Sequence, residues 1–268
     1  MNMIKGMLVI LLLYSILFTG ESTEPQDPFD EAIDKLYQQL ELTEKLDKPV
    51  FALTMVGYYN LKRSNLLQDD SILTIIDYKK PSREQRFFVI NLAEKKLLYA
   101  TYVAHGKGSG VQFAESFSNK PGSLKSSLGF FVTEESYVGR HGYSLKLQGV
   151  EPGINDNAMQ RAIVIHGANY VSETFIQEYG RLGRSWGCPA LPEDITRQVI
   201  DEIKGGSCLF VYSEDDDYLQ KSTLLNRETA GIYYLEAQTI VSNQDTLIFK
   251  DVSRERIQPR STIKRDEF

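Results

Sequence analysis

The stretch VIHGANYVSETFIQEYGRLGRSWGCPALP, Val164 to Pro192, decides how the chain folds. It begins inside the apolar run AIVI, turns at His166 and Gly167, carries the only tryptophan of the chain, and reaches Cys188 between Gly187 and Pro189. A β-branched run that ends in His-Gly predicts a strand delivering an imidazole into a loop, where sites are commonly built. Glu173 to Tyr179 predicts a short helix. After the cysteine, PEDITRQVIDEIKGG predicts a second helix, opened by Pro192, acidic in its first turn and closed by Gly205. Cys188 therefore stands at a turn just ahead of a helix.

Outward from this stretch the pattern is mainly β with flanking helices. ILTIIDY, RFFVINL, KLLYATYVA, FFVTEES, AIVIHG and CLFVY are short runs rich in Ile, Val, Phe and Tyr, separated by Gly, Pro, Asn and Ser. IYYLEAQ and TLIFK, nearer the end of the sequence, predict two weak strands. Upstream, Phe29, Ile33, Leu36 and Leu40 recur at helical spacing. VFALTMVGYYNL predicts another helix, with Asp47 as its cap and Pro49 in its first turn, and the two helices read as an accessory layer. The run Glu214 to Asp217 reads as a solvated surface turn.

Composition narrows the partners. A formal net charge of -6 and no basic stripe exclude a nucleic-acid binder. Lys5 followed by the apolar run Gly6 to Gly20 predicts an export signal cleaved after Ser22. The domain reading is a signal peptide over 1–22, a linker and helical segment over 23–68, a catalytic domain over 69–213, and an extension of unknown role over 214–268. Of the two cysteines, Cys208 lies in a core-like strand and Cys188 at a turn, which disfavours a disulfide between them.

A thiol attacks carbonyl carbon as thiolate, and a neighbouring imidazolium lowers its pKa, so Cys188 and His166 suffice chemically for acyl transfer. Gly187, just before the sulfur, permits close backbone approach and would leave N–H groups free for an oxyanion. On residue types alone, a strand-end histidine serves structure more often than catalysis. His105 and His141 are equally ambiguous. The three histidines lack zinc-site spacing, and GKGSG lacks the form of a phosphate loop, so no metal or cofactor is expected.

Taken together, VAHGKGSG, FSNKPGSLKSSLGFF, GRHGYSLKLQG, NDNAMQRAIVIHG and GRLGRSWGCPALP resemble the murein L,D-transpeptidases, the YkuD-like proteins, over roughly Ser71 to Tyr212. The resemblance implies a β-sandwich catalytic domain with N-terminal helices. It implies Cys188 as nucleophile and His166 as base, with the Gly167 carbonyl orienting the imidazole and Gly187 completing the cysteine motif. Ser185, Trp186, Arg184 and His141 become substrate-binding candidates. Two positions depart from the family pattern: Trp186 stands where many members have histidine, and Ala190 where many have arginine.

The implied reaction is cysteine-dependent transfer on peptidoglycan tetrapeptide stems, through a Cys188 thioester formed from a thiolate and imidazolium pair. D-alanine is released and a cross-link is made, in the periplasm or cell envelope, with no membrane contact after signal cleavage. An L,D-carboxypeptidase using the same residues, or a wall-binding module without turnover, are the alternatives.

Overall fold

The computed structural model describes residues 27–240. The export signal and TLIFK lie outside the described residues. Strands β1 (Ile72–Asp77), β2 (Phe87–Asn91), β3 (Lys96–Thr101), β4 (Gly129–Gly139), β5 (Gly142–Gly149), β6 (Val164–Gly167), β7 (Ala190–Leu191) and β8 (Cys208–Tyr212) form one sheet. Their order is β3-β2-β1-β8-β4-β5-β6-β7. β1 runs parallel to β8 and β6 to β7, and the other neighbours are antiparallel. Every residue of β1 and β8 is buried, so both faces of the sheet are covered there. That is why these strands read as unbroken apolar runs and not as an alternation.

Beyond β3 the chain continues to Ala104, whose N–H donates to the Ala190 carbonyl at 2.8 Å while its own carbonyl accepts from Ala190 at 3.4 Å. One end of the sheet thereby meets the other, and the layered β domain is a single sheet curled until its ends touch. A small cluster, Ala104, Ala168, Val171, Leu182 and Ala190, fills this seam. Small residues dominate it because two backbones pass at ladder distance.

The helices are α1 (Pro28–Gln39), α2 (Lys48–Arg63), α3 (Glu173–Tyr179), α4 (Glu193–Ile203), α5 (Asp216–Lys221) and α6 over residues 227–240. Four expectations change. Asp47 precedes α2, but its side chain makes no cap bond and reaches Lys79 instead, at 3.4 Å. The first two helices are not an accessory layer: Phe29, Phe51 and Met55 belong to the same core cluster as Phe130 and Phe210. IYYLEAQ is helical, not a strand. Asn226 Oδ1 accepts the Thr229 N–H at 3.0 Å and starts α6, and Tyr234 then packs on Phe29 and Tyr59, with centroids 5.4 and 5.5 Å away. The acidic run likewise starts a helix: Asp215 accepts the Tyr218 N–H at 2.9 Å and caps α5. Buried Glu151 holds that helix to the sheet, accepting from the Phe130 N–H at 2.6 Å, from the Tyr218 hydroxyl at 3.3 Å and from the Ser222 hydroxyl.

Contact between α2 and the sheet turns on Gly57, where a Cβ would lie 1.9 Å from Phe130 Cζ. Phe130 cannot swing aside freely, because its ring stacks on Phe210 at 4.1 Å. Gly57→Ala should therefore cost about 1–3 kcal/mol, read as a lower urea midpoint at unchanged slope. An unchanged midpoint would show that the Phe130 ring has room to move.

Candidate active site

Pairing of β6 with β5 and β7 fixes His166 between Ser144 and Ala190. Cys188 lies two positions before Ala190, so the register brings sulfur and imidazole to the same end of the sheet. His166 is only 4% exposed. Its Nδ1 lies 2.9 Å from the Gly167 carbonyl. A carbonyl only accepts, so Nδ1 carries the proton and Nε2 keeps its lone pair. His166 and Cys188 line one cavity of about 640 Å³, together with Arg140, His141, Tyr170, Arg184, Trp186 and Glu193.

The cysteine loop is held from within. The Ser185 hydroxyl donates to the Cys188 carbonyl at 2.6 Å and accepts the Gly187 N–H at 3.0 Å. Ser185 is buried with both capacities engaged by the loop, so it shapes the turn while also lining the cavity. The Gly187 N–H, expected to be free for an oxyanion, is the one that Ser185 takes. The Cys188 N–H is not taken by any other group among the described residues. Gly187 itself has φ +129°, and a Cβ there would lie 2.8 Å from the Lys125 carbonyl, so the turn requires glycine. Ser126 clamps this turn to the preceding loop by accepting the Gly106 N–H at 3.0 Å and donating to the Gly187 carbonyl at 3.2 Å.

Burial raises the Cys188 thiol above its ordinary pKa, with the Val164 N–H and the Arg161 guanidinium acting in the opposite direction. Burial likewise lowers His166, opposed by the Gly167 carbonyl and reinforced by His141. Each direction is set first by burial, which disfavours the charged form of either group. Taking either group out of water works against its charged form, the thiolate as much as the imidazolium. In keeping with this, the thiol donates to the Ala162 carbonyl, with Sγ 3.6 Å from the oxygen. Both cysteines are free, Cys188 half-buried and Cys208 fully buried.

Several residues absent from the sequence reading hold the site. Arg161 donates to the carbonyls of Ser118 at 2.5 Å and Lys125 at 2.6 Å and to the Ser127 hydroxyl, so it fastens the 118–127 loop beside the sulfur. Its partners are too distant in sequence for spacing to reveal. Arg86, fully buried, donates through Nη2 to His105 Nδ1 at 2.8 Å. His105 Nε2 faces the Gly110 carbonyl at 3.4 Å, which also accepts from Arg184 at 2.9 Å. The His105 carbonyl accepts the Ser185 N–H at 3.0 Å. His105 thus belongs to the scaffold, while Arg184 keeps one edge on that scaffold and lines the cavity. Trp186 is 69% exposed at the rim, with the Lys107 ammonium 5.3 Å from its ring. His141, a substrate-binding candidate, lines the same cavity and stacks on His166.

Among the described residues no group of three or more His, Cys, Asp or Glu could hold a metal ion, and no helix is long and apolar enough to cross a membrane. A second cavity, about 590 Å³, is lined by Lys35, Tyr58, Lys62 and Tyr234 among others. It contains neither histidine nor cysteine, and so lacks the chemistry of the first.

Two consequences can be measured. Arg161→Gln removes a cation that favours the thiolate, so the pH midpoint of Cys188 alkylation should rise by roughly half a unit to one unit. A midpoint that stays or falls would deny Arg161 this influence. Burial, then the Arg86 charge, holds His105 down to about 3 from its ordinary value of 6.5. The unfolded chain therefore binds the extra proton between those values, and the stability that His105 contributes is complete above pH 6.5 and falls as pH drops toward 3. In His105→Asn the decline in unfolding free energy over this window should be shallower than in the parent; parallel curves would contradict it.

No curated protein matches the chain. Among solved structures it is similar to an L,D-transpeptidase from Mycobacterium smegmatis, at 14% identity and TM-score 0.33, over 53% of this chain and 59% of that one. The chain thus spans about three fifths of that protein's length. It is also similar to the L,D-transpeptidase from Xylanimonas cellulosilytica, at 12% identity and TM-score 0.33, over 67% of this chain and 93% of that one. The family model for the L,D-transpeptidase catalytic domain matches residues 42–212, which takes in α2, the whole sheet and both sides of the cavity. By that match over most of its length, the chain belongs to the L,D-transpeptidase catalytic domain family.

Proposed function

We propose that the chain is a cysteine-dependent L,D-transpeptidase acting on peptidoglycan tetrapeptide stems. The observation that carries this reading is the pinning of His166 Nδ1 to the Gly167 carbonyl, which leaves Nε2 as a proton acceptor in the cavity that Cys188 lines.

In this reading Cys188 attacks the carbonyl carbon at the L-centre of the stem's diamino acid. The sulfur–carbon bond forms as the thiol proton passes to His166 Nε2, so the ions exist only once substrate has displaced water. The Cys188 N–H faces the developing oxyanion. The bond from that carbon to the D-alanine nitrogen then breaks, and His166 returns the proton to the leaving amine. An acceptor amine attacks the thioester, gives its proton to His166, and displaces the sulfur, which recovers the proton as thiol. Arg140 and Arg184 supply positive charge on the cavity wall for the stem's carboxylates. Such a substrate places the working protein in the cell envelope, which fits the export signal read at the amino terminus.

Mass spectrometry of products from purified tetrapeptide muropeptides tests this. A dimer lacking one D-alanine is expected from the parent chain and from no Cys188→Ala sample, and His166→Ala should lower the rate by roughly 10²–10⁴-fold. A tripeptide monomer in place of the dimer would identify water as the acceptor and make the chain an L,D-carboxypeptidase. Stems bound but unchanged would leave a wall-binding module.

A further inference from the structure

We propose that His141 is a positioning residue for the base, its ring lying face to face on His166 and setting the pH below which the base is lost. This rests on the reading of His166 as the proton acceptor.

The two rings have centroids 4.6 Å apart and planes inclined by 27°. His166 is thus fixed twice, at its edge by the Gly167 carbonyl 2.9 Å from Nδ1 and on its face by a second imidazole. His141 is exposed at the turn between β4 and β5, so its own fold contacts do not explain the placement of its ring. His141 lines the cavity and lies with its ring on the face of His166, so it is placed to act on the base as well as beside a bound ligand.

Two imidazoles at this separation carry two protons only against strong repulsion. A proton on the exposed ring therefore opposes a second on the buried one, and His166 keeps its lone pair to lower pH. The charged and titratable groups lining the same cavity act in both directions. Arg184 on the cysteine loop and Arg140 beside His141 disfavour a cationic His166, Glu193 at the start of α4 favours one, and Cys188 and Tyr170 are uncharged when protonated. Burial is the first cause of the lowered His166 value, with the Gly167 carbonyl opposing and His141 adding to it.

The test compares the full chain with His141→Phe and His141→Ala. Phenylalanine keeps an aromatic face over His166 but carries no proton. Each pH profile of kcat/KM is normalised to its own plateau, and the His166 ring is titrated directly by NMR. In His141→Phe the acid limb and the NMR midpoint should both move up by roughly half a unit to one unit. His141→Ala should move both further, since water then reaches the ring. Both unmoved in His141→Phe, with a melting midpoint equal to the parent's, overturns the proposal. An NMR midpoint that moves while the acid limb stays shows the ring coupling but overturns His166 as the base, which separates the two failures.

Discussion

A single buried cation, Arg86, fixes the path on which the rest of the structure depends. Its guanidinium donates to the Val103 carbonyl from Nε at 3.0 Å and from Nη2 at 2.8 Å, to the Lys80 carbonyl at 2.8 Å, and to His105 at 2.8 Å. It also lies 4.9 Å from the centre of the Tyr78 ring. None of these partners is a carboxylate. Burial lowers the guanidinium to about 10, still protonated at neutral pH. Taking such a charge out of water costs several kcal/mol, offset here only because its donors saturate carbonyls that would otherwise be orphaned. The Lys80 carbonyl lies in the turn between β1 and β2 and the Val103 carbonyl just beyond β3, so the guanidinium ties that turn to the chain that leads to the site. With Val103 and His105 fixed, Ala104 meets Ala190, the sheet closes, and the His105 carbonyl holds Ser185 in the cysteine loop.

What the sequence made legible follows the range of the forces involved. Central strands could be read because burial on both faces leaves a local record of unbroken apolar residues, and α3 and α4 because their caps lie within a few residues of their ends. β5 was missed as a strand, since GYSLKLQG mixes polar and apolar residues to suit two neighbours. β7 spans two residues and is defined by its long-range partners, His166 and Gly167 on one side and Ala104 on the other. IYYLEAQ has strand-like composition, and its helix is decided by the Asn226 cap and by Phe29, almost the length of the described chain away. At the site, the family resemblance nominated His166 and Cys188, and both line one cavity. Arg161, Arg86 and the His141 stack were not legible, because each acts across contacts that spacing does not encode.

The site's electrostatics and its architecture have one cause. Closing the sheet buries the loop ends that would ordinarily be wet, and burial raises the thiol while it lowers the imidazole. Burial therefore works against charge on either group, whichever side of the cavity it stands on. Ser185 illustrates the same economy: its hydroxyl holds the Gly187 N–H and the Cys188 carbonyl, which leaves the Cys188 N–H as the loop's open donor.

Trp186 is the only tryptophan in the chain, and it stands exposed on the cavity rim under the Lys107 ammonium. All indole emission therefore originates within a few ångströms of the reaction cavity, without background from the core. Any ligand that settles against the rim removes water from that ring and shifts its fluorescence to the blue, so occupancy can be followed without a label. The same placement makes the indole a poor reporter of core melting, since it is already wet in the folded state.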